Sequence, residues 1–142
     1  MASQEAANHR GAVAQAISNA VVRLLRDYTG RGPTQAHTTV TENHVLVVLR
    51  DTLLKGERIL VEDGHVAAVI DMRRRFQQTM REDLIAVVVE HTGREVAAFL
   101  SDHHLDPDIA TEVFILKPRS ASEANGAAPP YDGAGPGPAA DL

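Results

Sequence analysis

The 142-residue chain contains no cysteine and no tryptophan. Without cysteine there can be no disulfide, no thiolate nucleophile and no Cys-ligated zinc. Two Tyr and three Phe are the only aromatics, so the core must be built from Val, Leu, Ile and Ala. Long apolar runs are also missing. The longest, Leu84 to Val89, falls far short of the roughly 18 residues of a membrane span. Near the N-terminus, Glu5 and its polar neighbours stand where an export signal would carry its hydrophobic core. A cytoplasmic protein that does not itself insert into membrane is expected. Positive charge is not in excess either: up to Arg119 there are 14 basic and 16 acidic side chains, and Glu123, Asp132 and Asp141 bring the formal charge to −5. Phosphate-backbone binding needs the opposite balance, which argues against nucleic acid as a partner.

What is present reads as one domain followed by a tail. Hydrophobic residues make up 44% and charged residues 23%, ordinary for a globular chain with a single core. From about Gln4 to Thr29, Val13, Ile17, Val21, Leu24 and Tyr28 recur at helical spacing. Gly30-Arg31-Gly32-Pro33 then stops this helix, because Gly30 suits the left-handed closing position and Pro33 cannot re-enter a helix. Thr34 to Thr41 alternates as a strand, Glu42-Asn43 serves as a hairpin loop, and His44 to Arg50 forms a second strand, apolar on both faces. Asp51 or Thr52 is placed to cap a short helix ending near Asp63. The stripe Val66, Val69, Ile70, Phe76, Met80, Leu84 and Val87 or Val88 predicts a long helix over about His65 to His91, closed by Thr92-Gly93. Arg94 to Ser101 and Ile109 to Leu116 read as two more strands, joined by a polar loop from Asp102 to Asp108.

The order α-β-β-α-α-β-β predicts an α+β two-layer sandwich, with a four-stranded, mainly antiparallel sheet and helices on one face. Because the second strand is apolar on both sides, the uncovered sheet face is expected to pair with another copy, giving a homodimer. Residues 1–118 form the domain. Residues 119–142, with four Pro and four Gly after Ser120, predict a disordered, acidic Pro/Gly/Ala-rich tail.

The candidate chemistry is sparse. Asp102, His103, His104, Asp106 and Asp108 form the densest cluster of metal-ligand types and could hold a hard or borderline cation. The same composition describes a surface turn. Ser101-Asp102-His103 puts nucleophile, acid and base types in a row, but consecutive residues cannot assemble a triad. The Gly30 to Pro33 box is not a phosphate loop: it lacks Gly-Lys-Ser/Thr and runs helix to strand. Arg31 within it could pair with a carboxylate such as Asp102. On the long helix, Asp71 and Arg75 stand at ion-pair spacing, while Arg74, Gln78 and Arg81 share a side able to meet an acidic partner. No nucleophile–base pair, nucleotide loop or cofactor signature is visible, so a non-enzymatic protein without cofactor is expected.

Several spaced blocks carry a resemblance: Gly30 to Pro33, Val45 to Leu49, Met80 to Asp83, Thr92 to Arg94, Phe99 to Asp102, and the last strand through Val113 and Phe114. In this order, over about Ala12 to Pro118, the chain resembles the bacterial MpsC family, formerly a domain of unknown function. Asn43-His44 departs from the small or Gly-containing turn expected at the first hairpin. The resemblance implies the soluble accessory component of a Na⁺-translocating, membrane-potential-generating or inorganic-carbon uptake system. It also implies a membrane transport subunit, or its cytoplasmic partner, as binding partner, and it brings no catalytic residues. The alternative is a small-ligand or metal-binding sensor using the Asp102–Asp108 loop, with His protonation as its switch. The residues singled out for function are Arg31, Arg81, Ser101, Asp102 and His103.

Overall fold

The structure is a computed structural model and describes residues 2–119; the predicted tail from residue 120 lies outside the described residues. Seven elements follow in the predicted order: α1 (Ala2–Thr29), β1 (Gln35–Val40), β2 (His44–Arg50), α2 (Lys55–Glu62), α3 (Val66–Thr92), β3 (Val96–His104) and β4 (Ile109–Leu116). The four strands form one sheet in the order β1-β2-β4-β3, and every neighbouring pair is antiparallel. The α+β architecture predicted from periodicity is the one observed.

Alternation along the strands sorts the sheet into two faces. Val45, Val47 and Leu49 of β2, with Ala110, Phe114 and Leu116 of β4, point inward. They pack against Ile17, Val21 and Leu25 of α1 and Met80, Leu84 and Val88 of α3. As the scarcity of aromatics requires, this core is aliphatic around one ring pair, Phe99 and Phe114, with centroids 5.0 Å apart. Arg81 of α3 lies 5.7 Å from the Phe99 ring centroid, in cation–π range. Ser18 and Thr38 share a buried 2.7 Å hydrogen bond, which satisfies the polar groups where α1 crosses β1.

The helix stops are built as expected. Gly30 has φ +82° and its N–H reaches Arg26 O at 2.8 Å; Gly93 has φ +68° and its N–H reaches Val89 O at 2.9 Å. Gly32 is required for a different reason: a Cβ there would sit 3.1 Å from Val22 O, so the chain can turn tightly against α1 only without a side chain. At the first hairpin, Glu42-Asn43 forms the loop and Thr41 replaces the missing glycine chemistry. The Thr41 hydroxyl accepts the N–H groups of Asn43 and His44 and so sets Val40 opposite Val45.

Three boundaries differ from the sequence expectation. Neither Asp51 nor Thr52 caps α2. Leu54 occupies the cap position, and the Glu57 carboxylate reaches back to the Leu54 N–H at 2.8 Å. Arg94 is not in a strand: it is buried and donates to Glu42 O at 3.1 Å and Lys117 O at 2.7 Å, pinning the hairpin turn to the end of β4. Finally, β3 does not end at Ser101 but runs on to His104, because pairing with β4 continues through Asp102↔Thr111, His103↔Ala110 and His104↔Ile109.

Candidate functional site

The extension of β3 changes what its last residues can do. Phe99, Ser101 and His103 alternate inward beneath α3, while Leu100, Asp102 and His104 face the uncovered side. His103 therefore enters a polar network centred on Arg73 of α3. The Arg73 guanidinium grips Glu57 with two bonds, of 3.0 and 2.8 Å, and donates to Thr52 O at 2.7 Å, Thr52 Oγ1 at 3.1 Å and His103 Nδ1 at 2.8 Å. A guanidinium can only donate, so His103 Nδ1 accepts, and Nε2–H is left to donate to Asp108 Oδ1 at 3.1 Å. The imidazole is thus the neutral Nε2–H tautomer. Burial and the Arg73 charge push its pKa below the ordinary value, against the opposing pull of Asp108.

Asp108 ties the same network to the β2–α2 connection. Its carboxylate accepts Leu53 N–H at 2.9 Å, Thr52 Oγ1 at 2.9 Å and Arg58 Nη2 at 3.2 Å. Burial alone would raise the Asp108 pKa, but these bonds, with Leu53 N–H foremost, outweigh it and hold the carboxyl below its usual range. Arg31 completes the clamp from the other side. It pairs with Asp51 at 2.6 Å and donates to the carbonyls of Asp51 and Leu53. Asp51 sits at φ +57°, a left-handed position that an isolated Asp rarely takes, and the bond from Arg31 holds its carboxyl well below the usual range. The polar atoms of the 51–54 segment that carry side-chain contacts are thereby tied to α3, α2, the β3–β4 turn or the Gly30–Pro33 turn.

A second polar group lies under the same helix and is left without partners. Glu112 of β4 points inward between Ala110 and Phe114 and is 0% exposed. Neither of its carboxylate oxygens has a hydrogen-bond partner, and neither do the nearby buried Ser101 Oγ and Gln77 Oε1. Ser101 stands directly opposite Glu112 across the β3–β4 ladder. Burial pushes the Glu112 pKa up to about 7, although Ser101 and Gln77 beside it pull the other way. Glu112 and Gln77 line a cavity of about 50 Å³ whose apolar walls include Leu25, Leu49 and Met80. Arg31 and the partly exposed Phe76 mark its solvent side. Ser101 and Gln77 also border a smaller adjoining cavity of about 30 Å³.

The residues singled out in the sequence scatter over these features. Arg31 pairs with Asp51 and not with Asp102. Arg81 lies over Phe99; it is exposed, as are Arg74 and Gln78. Ser101 joins the partnerless group. Asp102 is exposed on the open sheet face, where its Oδ1 accepts the His103 N–H at 2.8 Å. The Asp102–Asp108 metal cluster is corrected by the same geometry: Asp102 and His104 face one side, His103 and Asp108 the other, and the latter two are bound to each other. Among the described residues no three His, Asp or Glu side chains converge on one point. His103 does not give a switch near neutral pH, because its environment keeps it neutral. His103, the imidazole on the same face of β3, has both nitrogens engaged and is not free to serve Ser101 as a base. Glu112, Gln77, Arg73 and Glu57 were missed. Glu112 could have been found from the alternation Ala110, Glu112, Phe114, Leu116, which places a carboxylate on a core-facing row.

The residues that build these features sit in the blocks that stood out along the sequence. Gly30 to Pro33 is the clamp turn. Met80 to Asp83 supplies a core side chain, the Phe99 cation, and the acceptor of a 2.6 Å bond from Tyr28 on α1. Thr92 to Arg94 is the helix stop with its buried arginine. No curated protein and no solved structure matches the chain. Residues 9–118 match a family model described as Na⁺-translocating membrane potential-generating system (MpsC). That match covers the whole of the packed α+β unit from the first core turn of α1 to the end of β4, and the chain belongs to the MpsC family.

Proposed function

We propose that the chain is a non-enzymatic accessory subunit of a Na⁺-translocating, membrane-potential-generating system, acting on the cytoplasmic side as a homodimer. One observation carries the reading: the sheet face opposite the helices presents an apolar line to solvent. Leu46, Val113 and Leu100 are direct cross-strand neighbours on β2, β4 and β3, and Val48 and Ile115 lie beside them. Leu100 is 57% and Ile115 38% exposed. A row of this kind in the middle of a sheet, rimmed by His37, Thr39 and Asp102, matches the apolar centre and polar edge of a protein interface. The pairing of two such faces is self-complementary.

The family description supports the membrane-system context. Among the described residues no helix is long and apolar enough to cross a membrane, so ion passage is assigned here to a membrane-embedded partner. The non-enzymatic reading is supported by the engagement of His103 on both nitrogens. The test is affinity capture of the full chain from native membranes, alongside light scattering. Enrichment of a membrane transport subunit or its cytoplasmic partner, with a dimeric mass that Val113→Glu reduces to a monomer, supports the proposal. A monomeric wild-type chain at micromolar concentration removes the dimer, and recovery of no membrane subunit removes the accessory role.

A further inference from the structure

We propose that the inward-facing oxygens of Glu112, Ser101 and Gln77 form a binding site for one small monovalent cation, an alkali ion or ammonium. Four buried oxygens without a hydrogen-bond partner fall in this one place, two from Glu112 and one each from Ser101 and Gln77. Buried polar atoms in folded proteins are almost always paired, and a carboxylate with both oxygens orphaned is the costliest exception. The Ser101 hydroxyl and the Gln77 amide lie near enough to pull the Glu112 pKa down, but no donor and no positive charge comes within hydrogen-bond distance of these oxygens.

The charges around it select the ligand's charge. Three ionic side chains besides Glu112 line the same cavity: Arg31 from the α1–β1 turn, Glu57 from α2 and Arg73 from α3. Arg73 and Glu57 neutralise each other through two bonds, and Arg31 is taken by Asp51. What remains is the single charge of Glu112, which one monovalent cation balances and a divalent ion would overbalance in a low-dielectric site. The unpartnered atoms are all oxygens, the preference of hard cations. Size gives the same answer. A water needs roughly 10–15 Å³ of such space, so a cavity of about 50 Å³ holds an ion with a few waters to complete its shell and excludes a metabolite. The ionisable state of the site agrees, because the elevated Glu112 pKa reflects the cost of an uncompensated charge that a bound cation would remove.

The inference is independent of the dimer and of the membrane partner, since the site lies under α3 on the covered face. It is tested by thermal unfolding of the full chain at pH 8 in equal concentrations of sodium, potassium, ammonium or choline chloride. Choline is too large for the cavity and controls for ionic strength. At about ten times the dissociation constant, a fitting cation raises Tm by roughly 5 °C over choline. Glu112→Gln abolishes the difference between salts, and Ser101→Ala, which removes one donor, weakens it. The ranking among the three small cations tells alkali ion from ammonium. ²³Na line broadening by the wild-type protein, reversed by the better-bound competitor, gives a readout that does not depend on any variant folding. One Tm in all four salts leaves the proton as the only occupant and overturns the proposal, as does an equal response of wild type and Glu112→Gln.

Discussion

Two polar groups lie a few residues apart under α3, and they are opposites. Around Arg73, a guanidinium, two carboxylates, an imidazole and a threonine satisfy one another with bonds of 2.7–3.1 Å. Around Glu112, four oxygens satisfy nothing. Both are drawn from the same strands and helix: His103 and Ser101 are two residues apart on β3, and Arg73 and Gln77 are one turn apart on α3. The difference is the supply of donors. Arg73 brings a fork of N–H groups to His103, Glu57 and Thr52, whereas nothing one turn later brings a cation to Glu112. A saturated network fixes geometry, here the path of the 51–54 connection. An unsaturated group at the same depth stores an imbalance that only a proton or a ligand can relieve.

The comparison can be broken from either side. The largest effect is expected for Arg73→Ala. It leaves Glu57 buried and unpaired, at a cost of about 3–5 kcal/mol in denaturant unfolding; a loss below 1 kcal/mol would mean the network is dispensable. Next is Glu112→Gln, and its sign is opposite. The folded carboxyl titrates near 7 and the unfolded one near its model value of 4.5, so the native state holds the extra proton between these values. Wild-type stability therefore falls as pH rises from about 4.5 to about 7 and then levels off. Glu112→Gln removes that slope and is more stable than wild type at pH 8 by about 3 kcal/mol in the absence of a fitting cation.

Arg31→Ala unties the 51–54 segment on a partly exposed side and lowers Tm by roughly 2–5 °C. Hydrogen exchange at Leu53 and Leu54 should report the loosening locally. The smallest change is expected for His103→Gln, whose amide can accept from Arg73 and donate to Asp108 as the neutral imidazole does. A depressed folded pKa means that His103 contributes stability fully above the ordinary value of 6.5 and loses it as pH falls through the folded pKa. The Gln variant should flatten the acid side of the stability profile and leave the alkaline side alone.

Periodicity made the helices, β1, β2, β4 and the two glycine stops legible, because each rests on local spacing and backbone conformation. The end of β3 was not. Asp102, His103 and His104 have turn-like composition, and only the ladder to Thr111, Ala110 and Ile109 holds them extended. The same ladder turned a supposed metal loop into two unrelated faces. Arg31 was recognised as singular but given the wrong carboxylate, since Asp51 reaches it only through an unusual left-handed backbone that no spacing announces. Asp51 and Thr52 look like helix caps locally; tertiary partners recruit both. Glu112 was legible in principle, on a core-facing row of β4, but its isolation is a property of three elements together.

The most direct test of the unsatisfied site is to titrate Glu112 itself, by following its side-chain carboxyl carbon in ¹³C-labelled protein against Glu112→Gln as the assignment control. In choline chloride the resonance should titrate near pH 7. A midpoint in the ordinary range near 4.5 would show a solvated or well-partnered carboxylate and contradict the account.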